Sequence, residues 1–387
     1  MALRLAWAYL RSSPGRTLIL VLCIAATLTL PIAGARFFVV LEREMLARAD
    51  GTPVVIGSPG SPADLMLHAL YFAPRPPGEL PVSAADEVRD SGLARPVPVY
   101  ARFTAGGRPI VGTTLDYFDF RGIGLDRGAQ LARLGDCVLG WEAARRLGVE
   151  PGDTLASDPH DIFDLGGTFP IRLRVRGVLH RTRSPDDHAV FVDLSTAWII
   201  AGIGHGHDDI AKIDPDAERT DRGYRSGAQV KTHTVITDEN IESFHFHGDP
   251  DTFPLTALIV VPNDDRARAL LLARFVSRAD SLQALRPSLV VADLVEMLVP
   301  VRRTLGGYSA VTAGVALALF WMIVALTLRL RRSEFETLHD LGCPRSTTAA
   351  IIACEIAMVL GLGLLIAGVV SLGGVELSRG WIRTMAA

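Results

Sequence analysis

Three stretches of this chain carry no charged side chain and are long enough to cross a lipid bilayer. A hydrocarbon core of about 30 Å requires roughly 20 consecutive apolar residues in a helix. The uncharged stretches are residues 17–35, 305–328 and 356–375. They predict three transmembrane helices, which we assign to residues 17–40, 305–328 and 347–375. The average composition, with 49% hydrophobic residues and a formal net charge of -3, conceals this segregation.

The first stretch has two interpretations, because a signal peptide and a retained signal anchor look alike at the start of a chain. Residues 17–35 are long for a signal peptide and lack a clear small-residue cleavage site, which favours an anchor. Apolar residues continue at helical spacing over residues 37–49, between charged ones. This pattern predicts that the first spanning helix extends beyond the membrane as a stalk.

Arginine placement indicates the orientation of the spans. Short basic segments resist translocation across a membrane. The basic residues near the predicted spans are Arg4, Arg11 and Arg16 before the first, and Arg329, Arg331, Arg332 and Arg345 between the second and third. We therefore expect residues 1–16, an amphipathic N-terminal helix, and residues 329–346 to be cytoplasmic. Residues 41–304 and the tail at 376–387 are then extracytoplasmic.

The large segment at residues 41–304 mixes two periodicities. Alternating apolar and polar residues predict half-buried strands at 108–112, 171–179 and 189–194. Short helices are predicted at 141–147 and 194–200. The expected fold class is an α-helical transmembrane domain with a large α+β extracytoplasmic domain inserted between the first and second spans. Only Cys137 of the four cysteines falls in that domain, so we expect it to be buried and to form no intramolecular disulfide there.

Residues 201–253 differ from their surroundings, because they are rich in Gly, His and Asp and have few apolar residues. We expect a long loop there. Two pairs of histidines in it are spaced at i and i+2, so that on an extended strand each pair lies on one face. The pairs are His205 with His207 and His245 with His247. With Asp209 or Asp249 they form a candidate site for a metal such as Zn²⁺, but surface histidines of no particular role give the same pattern.

Several catalytic chemistries are excluded by the motifs that the sequence lacks. No Gly-x-x-x-x-Gly-Lys-Ser/Thr phosphate loop occurs, and the only lysines are Lys212 and Lys231. Neither a Gly-x-Ser-x-Gly elbow nor a His-Glu-x-x-His helix is present. We therefore expect no enzymatic activity and no ATP hydrolysis by this chain, and no cofactor other than the candidate zinc ion.

The segment between the second and third spans is a short amphipathic elbow. Polar and apolar residues over 332–341 separate onto different faces of a helix, with Phe335, Leu338 and Leu341 on the apolar one. Gly342 can end that helix and Pro344 prevents its continuation. Such a helix suits a groove in a partner protein, although any membrane protein also needs charged loops. Glu355, further on, is either a gating group or one that orients neighbouring helices, and we favour the second.

Several motifs together resemble the FtsX-like, MacB-type permeases of bacterial ABC transporters. The start of the chain, at residues 5–18, is similar to the family's N-terminal helix. Segments 112–118, 138–155, 175–179 and 187–192 are similar to its periplasmic core domain. The elbow matches the family pattern of an Arg followed by Glu334, Leu338, Leu341, Gly342, Arg345 and Glu355. The family usually has a fourth span, beyond the three found here.

The resemblance implies a permease subunit of the bacterial inner membrane, acting as a homodimer with a separate ABC ATPase. The residues it assigns to ATPase coupling are Arg332, Glu334, Phe335, Leu338, Leu341, Gly342 and Arg345. A periplasmic binding protein or lipoprotein is a further expected partner, and nucleic acid is not. Two other functions remain open: control of a periplasmic hydrolase, and metal binding by a membrane-tethered protein without transport. Neither the substrate nor the direction of transport follows from the sequence.

Overall fold

The fold is described from a computed structural model, which covers residues 2–75, 78–159, 170–207, 218–220, 223–225, 232–276 and 281–385. The chain divides into two compact units. One, the helical unit, contains residues up to Met45 together with Val295–Ile382. The other, the α+β unit, contains Leu46–Leu294. Asp209, which the sequence offered as a metal ligand, lies outside the described residues.

The described helices and strands follow one another in an order that places the strands between two long helical segments. The helices are α1 (Ala2–Ser12), α2 (Pro14–Asp50), α3 (Pro62–Tyr71), α4 (Ser83–Asp90), α5 (Asp116–Arg121), α6 (Trp141–Leu147), α7 (Leu194–Ile200), α8 (Asp265–Val276), α9 (Pro287–Leu330), α10 (Arg332–Asp340) and α11 (Arg345–Met385). The strands are β1 (Val54–Gly57), β2 (Leu80–Pro81), β3 (Ala94–Ala105), β4 (Arg108–Thr113), β5 (Leu125–Gly128), β6 (Asp136–Leu139), β7 (Thr154–Ala156), β8 (Arg172–Leu179), β9 (Val190–Asp193), β10 (Gly204–Gly206), β11 (Glu218–Thr220), β12 (Gly223–Arg225), β13 (Phe244–Phe246), β14 (Pro254–Leu255), β15 (Ala257–Pro262) and β16 (Gln283–Leu285).

Three helices of the described chain are long and apolar enough to cross a membrane. They are Pro14–Val40 in α2, Pro287–Leu330, which is the whole of α9, and Arg345–Gly374 in α11. The sequence prediction of three apolar helices is thus confirmed. Both α2 and α9 extend well beyond the predicted spans, since α2 runs on to Asp50 and α9 begins at Pro287.

Side chains from all three long helices pack together in the helical unit. The buried residues are Leu20, Val21 and Ile24 of α2, Phe320 of α9 and Val359 of α11. Further along the same helices, the Ser371 hydroxyl donates a hydrogen bond to the Thr29 carbonyl oxygen at 3.2 Å. Close van der Waals packing and bonds of this kind are what associate helices in lipid, where the surrounding chains are as apolar as the helices.

The α+β unit is built on one mixed sheet. Its strand order is β16-β1-β15-β3-β4-β9-β6-β8-β5, and β7 also pairs with β8. Neighbouring strands are antiparallel except for β4 with β9 and β6 with β8. Both parallel pairs join segments distant in sequence, because a parallel pair requires a crossover connection. The expected α+β fold of this region is confirmed.

Local patterns in the sequence predicted several of these elements well. The strands expected at 108–112, 171–179 and 189–194 are β4, β8 and β9, and the two short helices have the bounds of α6 and α7. Asp193 begins α7 by accepting a hydrogen bond from the Thr196 amide. Cys137 on β6 is fully buried and free, as expected, and burial raises the pKa of its thiol.

The prediction of a loop over residues 201–253 was partly wrong. The described part of this region contains the two-stranded β10–β13 ribbon, a second strand pair formed by β11 and β12, and two short 3-10 helices at Ile241–Ser243 and Pro250–Thr252. Phe244 and Phe246 explain the difference, because they alternate with histidines at the spacing of a strand. The ring of Phe246 packs on Trp198 and Phe253, with centroids 6.5 and 5.8 Å apart. These aromatic contacts fix the ribbon on the core.

Candidate functional site

The predicted coupling elbow is α10, a nine-residue helix between α9 and α11. It ends at Asp340, Leu341 is its C-cap, and Gly342 follows with a φ of +87°, a left-handed conformation that glycine adopts without strain. The Cys343 amide donates to the Leu338 carbonyl oxygen at 3.0 Å and closes the helix end. Arg345 then begins α11. The helix and its glycine stop are therefore as the sequence predicted.

The apolar coupling residues fall into two groups. Leu341 is 79% exposed and Leu338 is 38% exposed, so both present apolar surface to the exterior of the helical unit. Phe335 is half-buried and its ring lies under the guanidinium of Arg331, 4.9 Å from the ring centroid. Phe335 therefore supports the elbow from inside, while the two leucines are accessible to a partner.

The charged coupling residues are likewise divided. Arg332 forms an exposed ion pair with Glu336 at 3.0 Å on α10 itself. Glu334 instead accepts a hydrogen bond from the Tyr9 hydroxyl at 2.8 Å, which ties α10 to α1. Arg332 and Arg345 line one open groove of about 450 Å³ between α10 and the first turns of α11. Two of the residues predicted to meet a partner, Phe335 and Glu334, therefore make contacts within the helical unit.

Arg331 is the centre of a charge cluster that no pattern in the sequence predicted. Its guanidinium stacks on the Tyr9 ring at 3.3 Å from the centroid and pairs with Glu355 at 2.9 Å. Arg16 pairs with the other Glu355 oxygen at 3.2 Å. Arg331 and Glu355 are largely shielded from solvent, so each would carry a desolvated, unpaired charge without its oppositely charged neighbour. The cluster fastens the N-terminal helix and all three long helices to the base of the elbow.

The position of Glu355 in this cluster favours the orienting role over the gating role. Its two oxygens are engaged by arginines at the beginning of α2 and just after the end of α9. A carboxylate within an otherwise apolar run requires such a partner, and this requirement was the only signal in the sequence. Which of the seven arginines near the spans would supply the partner did not follow from the sequence.

A second buried cluster lies in the α+β unit, where α2 ends. The Arg48 guanidinium contacts both carboxylate oxygens of Asp186, at 2.5 and 2.9 Å. Its Nε donates to the Leu70 carbonyl oxygen at 3.1 Å, and the Tyr117 hydroxyl donates to Asp186 at 2.5 Å. The Ser184 hydroxyl adds a further bond to Asp186 at 2.8 Å. The last turn of the stalk helix is thereby held by a hydrogen-bonded ion pair inside the domain.

Electrostatics within this second cluster are set by burial and by the arginine charge. Burial raises the pKa of the Asp186 carboxyl, but the Arg48 charge and its hydrogen bonds outweigh burial and hold that pKa well below its usual range. Burial together with the Asp186 charge raises the pKa of Tyr117 to about 12. Asp186 is therefore an anion and Tyr117 a neutral donor at every pH near neutrality.

The four histidines of the sequence prediction converge in the structure. His205 lies opposite His245 on the β10–β13 ribbon, and the rings of His205 and His247 are stacked with centroids 4.8 Å apart. His207 lies 5.0 Å from His245, centroid to centroid. Burial, followed by the three neighbouring imidazoles, lowers the pKa of His205. Asp249 does not join the group, because its carboxylate caps a 3-10 helix by accepting from the Asp251 amide.

The fold defines a class: a protein with three helices that are long and apolar enough to cross a membrane and one α+β domain. The family model of the MacB-like periplasmic core domain matches residues 17–224, more than half of the 387 residues. The chain therefore belongs to that family, whose members are typical of ABC transporter permease-like subunits.

Solved structures of two related domains are similar to this chain. One is the periplasmic region of MacB from Actinobacillus actinomycetemcomitans, with 13% identity and a TM-score of 0.36 over 65% of this chain and 97% of that one. The other is the extracellular domain of the noncanonic ABC-type transporter YknZ from Gram-positive bacteria, with 11% identity and a TM-score of 0.32 over 60% of this chain and 98% of that one. No curated protein matches the chain.

Proposed function

We propose that this chain is the permease subunit of a bacterial ABC transporter and that α10 couples it to a separate ATPase. The proposal rests on one observation. The helix α10 exposes Leu338 and Leu341, while Arg331 at its start is held by an ion pair with Glu355. An exposed apolar patch on a short amphipathic helix suits docking in a groove of a partner. Membership of the MacB-like family supports the same assignment.

The mechanism we propose is mechanical. Movement of the ATPase displaces α10, and the bonds of Glu334 to Tyr9 and of Arg331 to Glu355 pass that displacement to the helices of the membrane. Since α2 is a continuous helix from Pro14 to Asp50, its displacement reaches residues that belong to the α+β unit. The buried Arg48–Asp186 ion pair then transmits the displacement of α2 to the rest of the α+β unit. ATP hydrolysis occurs in the partner, and this chain carries out no catalytic step.

The proposal includes a membrane topology. The arginines before α2 and around α10 support a cytoplasmic location of both segments. The α+β unit is then inserted between the first and second spans on the outer face. The location is the bacterial inner membrane, and a homodimer bound to two ATPase copies completes the assembly. A periplasmic binding protein or lipoprotein is the proposed partner of the outer domain.

Replacing Leu338 and Leu341 with Asp tests the coupling assignment. Both changes place charge on the proposed docking surface without altering a span, and burying an unpaired charge in an interface costs several kcal/mol. We expect ATPase retention on co-purification to fall sharply. Leu115→Asp, at an exposed leucine of the α+β unit, is the matched control and should retain the ATPase. Full retention by the Leu338/Leu341 variant contradicts the assignment.

A further inference from the structure

The β10–β13 ribbon separates two kinds of side chain onto its two faces. In the antiparallel register Gly204 pairs with Phe246, His205 with His245 and Gly206 with Phe244. Residues directly opposite each other share a face, and so do residues two apart on one strand. His207 and His247, just beyond the ends of the strands, therefore join the face of the central histidine pair. The ring distances of about 5 Å given above agree with this placement.

The opposite face explains why the ribbon alternates histidine with glycine. A Cβ atom on Gly204 would lie 2.6 Å from the Phe246 ring, and one on Gly206 would lie 2.7 Å from the Phe244 ring. Each phenylalanine therefore occupies the space that a side chain on the other strand would fill. Phe246 in turn packs on Trp198 and Phe253. The apolar face is anchored to the core, and the histidines are presented together on the other.

The nitrogen atoms of the cluster lie close to the separation that a metal ion requires. One ring nitrogen from each of His205, His207 and His245 lies within 4.8 Å of the other two. Zinc binds histidine nitrogen at about 2.0–2.1 Å in tetrahedral geometry, which places ligand atoms about 3.3 Å apart. Small side-chain rotations that move each nitrogen by about an ångström close that difference. The ring of His247 is stacked on that of His205 with centroids 4.8 Å apart, and a rotation about its side-chain torsions would bring a fourth nitrogen to the same ion.

Surrounding bonds orient these ligands. The Nδ1 of His245 lies 3.1 Å from the Ser243 carbonyl oxygen. A carbonyl only accepts, so this contact requires Nδ1–H and leaves the Nε2 lone pair of the neutral ring for a metal. The His247 amide donates to the Ile203 carbonyl oxygen at 3.0 Å, and an antiparallel bridge joins His207 to Thr232. The backbone of each outer histidine is thus held in place.

We propose that His205, His207, His245 and His247 form a binding site for one divalent transition-metal ion, with Zn²⁺ as the ion that fits best. Imidazole nitrogen suits zinc, copper and nickel, whereas calcium and magnesium prefer oxygen ligands. Structural zinc sites are almost always tetrahedral with four protein ligands, a number that these four imidazoles can provide. His245 and His247 lie beyond the stretch that the family model matches. All four histidines belong to the α+β unit, whereas α10 belongs to the helical unit, so this site and the coupling function proposed above rest on different residues.

Zinc binding by the full-length protein in detergent micelles tests this site. We expect one Zn²⁺ per chain in a chelator-competition titration. Removing two central ligands with His205→Ala and His245→Ala should weaken binding by at least about 100-fold, since loss of a single supporting contact already costs about 10- to 100-fold at metal sites. His180→Ala is the matched control, because His180 is an exposed histidine of the same unit outside the ribbon, and it should leave the affinity unchanged.

Two further measurements make the outcome decisive. Co²⁺ in place of Zn²⁺ should give the intense visible bands of tetrahedral coordination, and the double variant should lose them. If that variant fails to fold, a second variant with His207→Ala and His247→Ala, which removes two ligands at the ends of the ribbon, is used in its place. Equal affinity in wild type and ligand variants, or no binding by the wild type, overturns the proposal. Retained zinc binding in the Leu338/Leu341 variant would separate this site from the ATPase contact.

Discussion

Arg48 in the last turn of α2 and Asp186 in a 3-10 turn of the α+β unit form a bidentate ion pair that is almost completely removed from solvent. Their side chains are 10% and 2% exposed. The two residues are 138 positions apart in sequence, so the pair fixes the end of the stalk helix to a distant part of the chain. In the proposed mechanism, this is the contact through which displacement of α2 acts on the domain.

Breaking this pair should destabilise the α+β unit. Asp186→Asn leaves the Arg48 charge buried and unpaired, which costs about 3–5 kcal/mol for pairs of this kind. Chemical unfolding of the purified protein in detergent, followed by tryptophan fluorescence, measures the change. Arg89→Met serves as control, because Arg89 pairs with Asp86 at the surface, where such pairs contribute at most about 1 kcal/mol. Equal losses in the two variants would contradict the importance of the buried pair.

The Arg48–Asp186 pair should also make the free energy of unfolding depend on pH, and the pKa of Asp186 determines the direction. The pKa of Asp186 is lowered in the folded state, so near pH 4 the unfolded chain binds more protons than the folded one. Its contribution is therefore complete above about pH 5 and declines as the pH falls below the unfolded value of about 3.9. The groups that face it are Arg48, Arg121, Tyr117 and Ser184.

Comparing wild type with Asp186→Asn isolates that contribution from the other carboxyl groups. We expect a constant difference in free energy of unfolding between pH 8 and pH 5, and a shrinking difference under stronger acid. A difference that grows on acidification, or one already lost at pH 5, would show that Asp186 is not held as a paired anion.

The charge cluster around Arg331 predicts that one substitution can lower thermal stability without abolishing ATPase binding. Glu355→Gln leaves Arg16 and Arg331 without their shared anion but does not touch the exposed leucines of α10. We expect a lower thermal stability in detergent together with substantial ATPase retention. Arg332→Gln, which removes only an exposed pair with Glu336, should leave the thermal stability unchanged. Loss of stability in both variants, or in neither, would argue against a structural role for Glu355.

Local patterns made part of this molecule predictable. The apolar runs, α6, α7 and the Gly342 stop of α10 all follow from residues close together in sequence. The pairings of Arg48 with Asp186 and of Arg331 with Glu355 and Tyr9 did not, because tertiary folding decides which distant charges meet. The histidine ribbon lies between these cases. Its alternation is visible in the sequence, but the register that places His205 opposite His245 is set by the packing of Phe244 and Phe246.

Cysteine accessibility tests the proposed topology with residues the chain already contains. Cys343, just after α10, is partly exposed, whereas Cys137 is buried in the α+β unit. In a variant that keeps Cys343 as its only cysteine, a membrane-impermeant maleimide should label inverted vesicles and not intact spheroplasts. Arg89→Cys in a cysteine-free background should give the opposite result, because Arg89 is exposed on the α+β unit.

The two labelling patterns depend on each other through the number of spans between the sites. Arg89 follows the first apolar helix and Cys343 follows the second. In the proposed topology a single crossing, by α9, separates them, so they lie on opposite faces. The arginines flanking α10 then decide which face is cytoplasmic. Labelling of both sites from the same side would mean that α9 does not cross the membrane. Exchange of the two sides would reverse the orientation and remove α10 from the reach of a cytoplasmic ATPase.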